Sequence, residues 1–423
     1  MNIVQVSTSD LGHGAGIVAY NLHRSFKQHN HQSSMLVVEK RAADPDVFTL
    51  SQPNKNLWQK IGYRIAKKRE SKGNRSGPQN IYSRFTQKLL NHPLVAAADV
   101  INLHNLHWHE NNLSPLILPR LAQQKPVIWT LHDMWAFTGH CIYSMGCDRW
   151  KTGCGQCPDL STYIALEKDT TAQLYQCKQA IYSKARFTLV TPSTWLEQLA
   201  SQSPLFQNQP ITYIPHGIDL KLYSPRPKRA AKESLGLDPD RPVILFAAAL
   251  WEDFRKGYGD FATAVLHAGA QGWQPQLLGI GLGEFSSQLA RQFPTLSLGF
   301  VTQEHLKAIV YSASDLLIFP TLADNLPNTI LESMACGTPV LSYNTGGVAD
   351  MVKHLETGYL IAPGDAIALS QALQTLLTDP QQLKTLQQTC VEFVTQNFSL
   401  ELQTKRYIDL YQDCLAQVPA HQR

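Results

Sequence analysis

The chain has little charge and few cysteines for its length. Of 423 residues only 17% are Asp, Glu, Lys or Arg, and 37 basic against 33 acidic side chains leave a net charge of +4. So small a surplus does not favour a protein whose dominant face binds nucleic-acid phosphates. Eight cysteines are too few for a disulfide scaffold in a chain of this size, which fits a reducing compartment. No apolar run approaches the roughly 20 residues that a membrane-spanning helix needs. The start, Met1-Asn2-Ile3-Val4-Gln5-Val6, lacks the basic head, apolar stretch and small-residue cleavage site of a secretory leader and reads as a strand. A cytoplasmic protein is expected.

What is present is apolar content, 43% of the chain, enough for two cores. Short apolar runs at Ile3–Ser7, Ser34–Glu39, Val100–His104, Val127–His132 and Phe187–Thr191 alternate with amphipathic stretches such as Ile17–Gln28. That rhythm predicts parallel α/β architecture. It breaks around Tyr213–Pro227, where Pro215, Gly217, Pro225 and Pro227 mark a linker. It then resumes with Val243–Ala249, Gln276–Gly279, Leu296–Gly299, Leu316–Pro320 and Val340–Tyr343. Two doubly wound domains of similar size are expected, with a final helix near Leu400–Leu415 capped by Ser399.

One stretch carries the chemistry. After the strand Leu316–Pro320, the loop through Asp324-Asn325-Leu326-Pro327-Asn328 leads into a helical run that ends at Gly337, with Pro327 suited to its first position. A helix start after a strand's carboxyl end offers unpaired N–H groups and a positive dipole to phosphate or sugar hydroxyls. Asp324 falls in that loop and Glu332 inside the helix, and the next strand ends in Asn344-Thr345-Gly346-Gly347. Paired glycines let backbone amides approach an anion. Taken singly, Asp324 reads as a cap, Glu332 as a solvated charge and the glycines as a turn. Their joint order in one strand–loop–helix–strand–loop unit points to a ligand.

The run Asp324-Asn325-Leu326-Pro327-Asn328-Thr329-Ile330-Leu331-Glu332 through Ala335-Cys336-Gly337-Thr338-Pro339-Val340, with Thr345-Gly346-Gly347, resembles the motif of retaining GT-B glycosyltransferases of family four (group 1). Ile214-Pro215-His216-Gly217-Ile218-Asp219 fits the same family, so the resemblance spans both domains. The Asn-Leu-Pro-Asn stretch and Thr130-Leu131-His132-Asp133-Met134-Trp135 are similar to members associated with exopolysaccharide or colanic-acid-type assembly. The chain departs from the family at Asp324, where Glu is usual, a carboxylate one methylene longer.

The resemblance implies a GT-B fold of two Rossmann-like α/β domains facing a central cleft. Residues 1–218 would form the acceptor side, with residues 400–423 packing back on it, and residues 219–399 the donor side. It implies an enzyme, hexosyltransferase in type, that moves a sugar with retention from a nucleotide-sugar donor to a hydroxyl of a saccharide or lipid-linked acceptor in cell-surface polysaccharide or glycolipid assembly. Glu332 would hold ribose hydroxyls, Asp324 the donor sugar with Asn325, Leu326, Pro327 and Asn328 around it, and Gly346 and Gly347 the phosphates. Glu252-Asp253-Phe254-Arg255-Lys256-Gly257 resembles the diphosphate-binding segment, with Arg255 standing in for an Arg usually found just after the strand. Basic side chains there neutralise the leaving group without a required cofactor or metal; apart from the resemblance, Arg255 and Lys256 read as an exposed surface pair. Gly14 and Gly16 match the family's first glycine-rich loop, and His132 its cleft histidine. Catalysis is thus assigned to His132, Lys256 and Asp324. The alternatives are a GT-B-shaped nucleotide-sugar epimerase and a sugar-nucleotide binder that has lost turnover, the latter favoured only by Asp324.

Three features stand apart. His104, His107 and His109 follow a strand and read equally as functional groups or as a structural cluster. Cys141, Cys147, Cys154 and Cys157, beside His140, have spacing that suits a structural zinc, although unrelated thiols or a disulfide also fit. From Lys55 to Arg75, eight basic residues face one acid, with Leu57, Trp58, Ile61 and Ile65 at helical spacing. That pattern suits the anionic inner face of the plasma membrane, or equally a solvated basic helix.

Overall fold

The computed structural model of the protein describes residues 1–50, 85–107 and 113–418; the basic stretch Lys55–Arg75 and His109 lie outside them. The described chain forms two compact units, Met1–Ile214 with Thr404–Arg423, and Pro215–Gln403. The expected divisions at 218/219 and 399/400 shift by a few residues. The reason is local: Ile218 bridges Ser399 and the Gly217 N–H donates to the Gln403 side-chain oxygen (2.9 Å), which binds both segments to the second unit.

The first unit holds seven strands, β1 (Asn2–Ser9), β2 (Gln32–Glu39), β3 (Val47–Thr49), β4 (Val100–Leu103), β5 (Val127–Thr130), β6 (Thr188–Thr191) and β7 (Ile211–Tyr213). They pair in parallel in the order β3-β2-β1-β4-β5-β6-β7. Strand side chains alternate between faces, and both faces of this sheet are buried. Val4, Val6, Ile101, Leu103 and Trp129 pack on one side. Ile3, Val100, Ile128 and Val190 pack on the other, under Val18, Leu22 and Phe26 of the helix Gly14–Gln28 and under Tyr407 and Tyr411. Those tyrosines belong to the helix Leu400–Ala416, whose start is capped as expected by the Ser399 hydroxyl accepting from the Leu402 N–H (3.1 Å).

The second unit repeats the plan with six parallel strands, β8 (Val243–Leu250), β9 (Gln276–Leu282), β10 (Thr295–Ser297), β11 (Leu316–Phe319), β12 (Val340–Tyr343) and β13 (Gly358–Ile361), in the order β10-β9-β8-β11-β12-β13. Val243, Leu245, Leu317 and Phe319 enter one core and Ile244, Phe246, Leu316 and Ile318 the other. In each sheet the order reverses once, beside β1 and β4 and beside β8 and β11. Open parallel sheets bind ligands at the carboxyl ends of such neighbours.

Candidate functional site

In the second unit three loops lock around Asp324. The loop after β8 is a short 3-10 turn, Phe254–Lys256, capped by Asp253, whose carboxylate accepts from the Arg255 N–H (3.1 Å). Gly257 closes it at φ 71°, where an added Cβ would sit 2.0 Å from the Pro320 carbonyl. That contact presses the turn onto the loop after β11. The Leu322 N–H donates to the Arg255 carbonyl (2.7 Å), the Thr321 hydroxyl to the same oxygen (3.0 Å), and the Arg255 guanidinium to the Ala323 carbonyl (3.3 Å). Arg255 also pairs with Asp253 (2.5 Å).

The Lys256 ammonium lies 2.6 Å from Asp324 Oδ2, which also accepts from the Thr321 hydroxyl (2.9 Å). The Lys256 side chain keeps 18% exposure and Asp324 12%, so the pair is sheltered yet reachable. The loop after β12 completes the enclosure. Gly346, at φ 54°, passes so close that a Cβ would meet the Asp324 carbonyl at 1.8 Å, and the Gly347 N–H donates to that carbonyl (3.3 Å).

Asn325 and Leu326 are buried beside Asp324. Pro327 is the residue before the helix Asn328–Ala335 rather than its first position, in extended backbone at ψ 121°. Proline's fixed φ suits either place, and the extended ψ puts Asn328 first. Glu332 faces inward: its carboxylate accepts from the Tyr311 hydroxyl (2.8 Å) and pairs with Lys307 (3.1 Å). It is not the solvated charge that a single-residue reading gives. Burial and the neighbouring Glu332 carboxylate push the Tyr311 hydroxyl well above its ordinary range, so it stays a donor.

In the first unit, Gly14 opens the helix Gly14–Gln28, and Gly16 lies against the Ser9 backbone at the end of β1. His104 and His132 follow β4 and β5 and meet through His104 Nδ1 and His132 Nε2 (3.1 Å), their rings stacked at 5.4 Å. His107 Nε2 donates to Asp133 (2.8 Å), whose other oxygen accepts from the Trp135 N–H (2.9 Å). His104 and His107 therefore belong to the His132-Asp133 site. Burial, helped by His107, outweighs the pull of Asp133 and lowers His132 to about 4, so the ring is neutral at neutral pH. Burial pushes the Asp133 carboxyl up, but His107 and the Trp135 N–H prevail and leave it below its ordinary value.

Two buried partners escaped the sequence reading. Gln5, on β1, binds His104, and Lys178 sends its amine to the carbonyls of Trp135 and Thr138 while lying 3.9 Å over the Trp135 ring. For Lys178 the signal was a charged residue at helical spacing among Leu174, Tyr175 and Ile181, the buried face of the helix Thr171–Tyr182.

The expected zinc site is not supported. Among the described residues, no three His, Cys, Asp or Glu side chains are placed to hold a metal ion. Cys141, Cys147, Cys154 and Cys157 are free thiols. The Cys154 sulfur accepts from the Gly139 N–H (3.2 Å), while that of Cys157 meets His140 Nε2 and the Asp159 carbonyl (both 3.3 Å). Burial pushes Cys141 and Cys154 up to about 11, which favours thiol over thiolate.

Residues 241–379 match the family model described as glycosyl transferases group 1, so the second unit carries a glycosyl transferase group 1 domain. The WcaC glycosyl transferase assigned to colanic acid biosynthesis in Escherichia coli (strain K12) is 23% identical over 79% of this chain and 81% of its own length. A D-inositol 3-phosphate glycosyltransferase of Thermobispora bispora is 27% identical over 49% of this chain, and the match spans about half (51%) of that relative. Among solved structures, Anabaena Alr3699/HepE in complex with UDP and glucose aligns with a TM-score of 0.66 and 15% identity, covering 97% of this chain and 99% of that one. The fold is GT-B. Together these matches support a glycosyltransferase and do not favour the epimerase or the degenerate binder.

Proposed function

We propose that the protein transfers a hexose, with retention, from a nucleoside-diphosphate sugar to an acceptor hydroxyl in cell-surface polysaccharide or glycolipid assembly. The observation that carries this reading is the convergence of three loops on the Lys256–Asp324 pair beside β8 and β11. In this reading Asp324 takes donor-sugar hydroxyls, with Asn325 to Asn328 shaping the wall, and Glu332 takes ribose hydroxyls. Lys256 and Arg255 neutralise charge as the diphosphate leaves, while Gly346 and Gly347 let backbone amides near it. Arg255 and Lys256 each hold a carboxylate in hand, and a diphosphate competes for the same ammonium and guanidinium groups. Charge neutralisation by these side chains needs no metal.

His132 offers a neutral imidazole to a sugar or acceptor hydroxyl. With no carboxylate pair assigned as nucleophile and acid/base, retention is read as front-face attack, the donor phosphate assisting removal of the acceptor proton. A UDP-sugar donor is the first candidate, since the Anabaena neighbour was solved with UDP and glucose, and polysaccharide assembly is suggested by the colanic acid relative.

No helix among the described residues is long and apolar enough to cross a membrane. We place the enzyme in the cytoplasm, with the basic stretch Lys55–Arg75 drawing it to anionic lipid where a lipid-linked acceptor resides. The test is a panel of nucleotide sugars assayed for binding and slow hydrolysis in EDTA. Release of a nucleoside diphosphate from one donor is expected. Binding without release across the panel would mark a binder instead. Sedimentation with anionic vesicles, against a Lys/Arg-to-Gln variant of the stretch, reports the membrane contact.

A further inference from the structure

The Glu332 carboxylate is held at both oxygens from a neighbouring helix. Lys307 and Tyr311 stand four residues apart on the helix Glu304–Ala313, a spacing that puts both side chains on one face. The Lys307 ammonium meets Glu332 Oε1 (3.1 Å), and the Tyr311 hydroxyl donates to Oε2 (2.8 Å). The Lys307 and Glu332 side chains keep only 13% and 8% exposure, and the ammonium lies 5.5 Å over the Tyr223 ring. Burial, with the nearby Glu332 charge, also pushes the Tyr223 hydroxyl up, so it stays protonated beside that carboxylate. Even three donors leave acceptor capacity on a carboxylate, which has about four lone-pair sites. The backbone beneath is pinned as well. The Thr338 hydroxyl lies within hydrogen-bond reach of the Tyr311 and Ser314 carbonyls, and the Ser333 hydroxyl donates to the Thr338 carbonyl (2.8 Å).

We propose that Lys307 and Tyr311 are positioning residues: they hold the Glu332 carboxylate in the orientation in which it accepts from ribose hydroxyls, and so set the preference of this site for ribonucleotides. The proposal rests on the role given to Glu332 above. A free glutamate side chain loses rotamer freedom when a ligand orders it. Ties made within the folded protein remove that cost from binding. Lys307 adds the countercharge that a buried carboxylate needs. Ribose is held alike before and during transfer, so loss of either tie should raise the donor KM and leave kcat little changed. A contact that only joined two helices would weaken every nucleotide alike, with or without ribose hydroxyls.

That difference is the test, and it needs no sugar or acceptor. UDP, GDP and ADP are each titrated calorimetrically against their 2′,3′-dideoxy counterparts. The unaltered protein should bind one ribonucleotide roughly 10–100-fold more tightly than its dideoxy form, the range for hydrogen bonds to a charged group. In Lys307→Met and in Tyr311→Phe the ribonucleotide should weaken by about 10-fold while the dideoxy form changes little, which collapses the preference. Tyr311→Phe keeps the ring and the packing, and urea melts identify the variants that remain folded. Glu332→Gln should lose the preference too. A preference that persists in either folded variant, Lys307→Met or Tyr311→Phe, while Glu332→Gln loses it, overturns the positioning role of that residue and leaves the role of Glu332 standing. A preference that survives Glu332→Gln refutes the ribose role of Glu332 instead. Equal binding of both forms by the unaltered protein, or binding of none of the three nucleotides, refutes the two together.

Discussion

At the scale of single residues, Lys256 and His132 make the sharpest claims. If Lys256 has the role proposed for it, Lys256→Ala should abolish turnover, because the cation assigned to the leaving diphosphate is gone. The fold should survive with a loss of about 1–3 kcal/mol, since Asp324 keeps its Thr321 bond but loses its countercharge. Turnover and urea denaturation together check this, and near-normal activity would remove Lys256 from the site. For His132 the sign follows from a folded value of about 4 against an ordinary 6.5. The unfolded chain binds the extra proton first, so stability is full above about pH 6.5 and falls as the pH drops toward 4, by up to about 3 kcal/mol. Urea midpoints at pH 7 and pH 5 should differ less in His132→Gln than in the unaltered protein. The departure at Asp324 also has a local counterpart. The shorter carboxylate is already engaged by Lys256 and Thr321, with Gly346 packed against its own backbone.

At the scale of elements, strand rhythm was the legible part. Apolar runs announced β1, β2, β4, β5, β6, β8, β9, β11 and β12 because both faces of a parallel sheet are buried, which writes strands as near-continuous hydrophobic stretches, and the run Leu296–Gly299 announced β10 (Thr295–Ser297). The short edge strands β3, β7 and β13 were not announced. Three or four residues at a sheet edge carry too little pattern, and β7 merges into the proline-rich break that follows it. The Asp324-to-Glu332 unit was legible because loop, helix start and glycine pair sit within one continuous stretch. Gln5, Lys178 and Tyr411 were not, because their roles depend on partners from 40 to 406 residues away in sequence. The cysteine spacing misled for the same reason, since it fixes chain separation and not where each sulfur points.

Lys178 shows what such an element contributes. From the helix Thr171–Tyr182 it ties down the short turn Trp135–Phe137 that follows His132-Asp133. Burial lowers its amine to about 7 against an ordinary 10.5, with Cys154, Cys141 and Asp133 opposing. The folded chain binds fewer protons than the unfolded one between those values, so this group favours folding more as the pH rises through that window. Lys178→Met should cost roughly 1–3 kcal/mol at pH 9 by leaving two carbonyls unpaired. Its loss should shrink toward pH 6, where the unaltered protein must bury a charge. Thermal denaturation across that range checks both statements.

At the scale of the whole molecule, the two units differ in how the chain builds them. The second runs without interruption from Pro215 to Gln403, while the first is assembled from Met1–Ile214 and a segment beginning at Thr404. A protein cut after residue 403 should retain a cooperatively folding second unit. It should expose Ile3, Val100, Ile128 and Val190, which Tyr407 and Tyr411 otherwise cover. Binding of a hydrophobic dye and loss of one of two unfolding transitions would report this, and an unchanged melt would contradict it. The same order governs birth on the ribosome. The earlier-made half cannot close until the later-made half has already been synthesised, so through most of translation the nascent chain shows an oily sheet face to the cytosol. That interval, rather than any property of the finished enzyme, is when this protein most needs a chaperone.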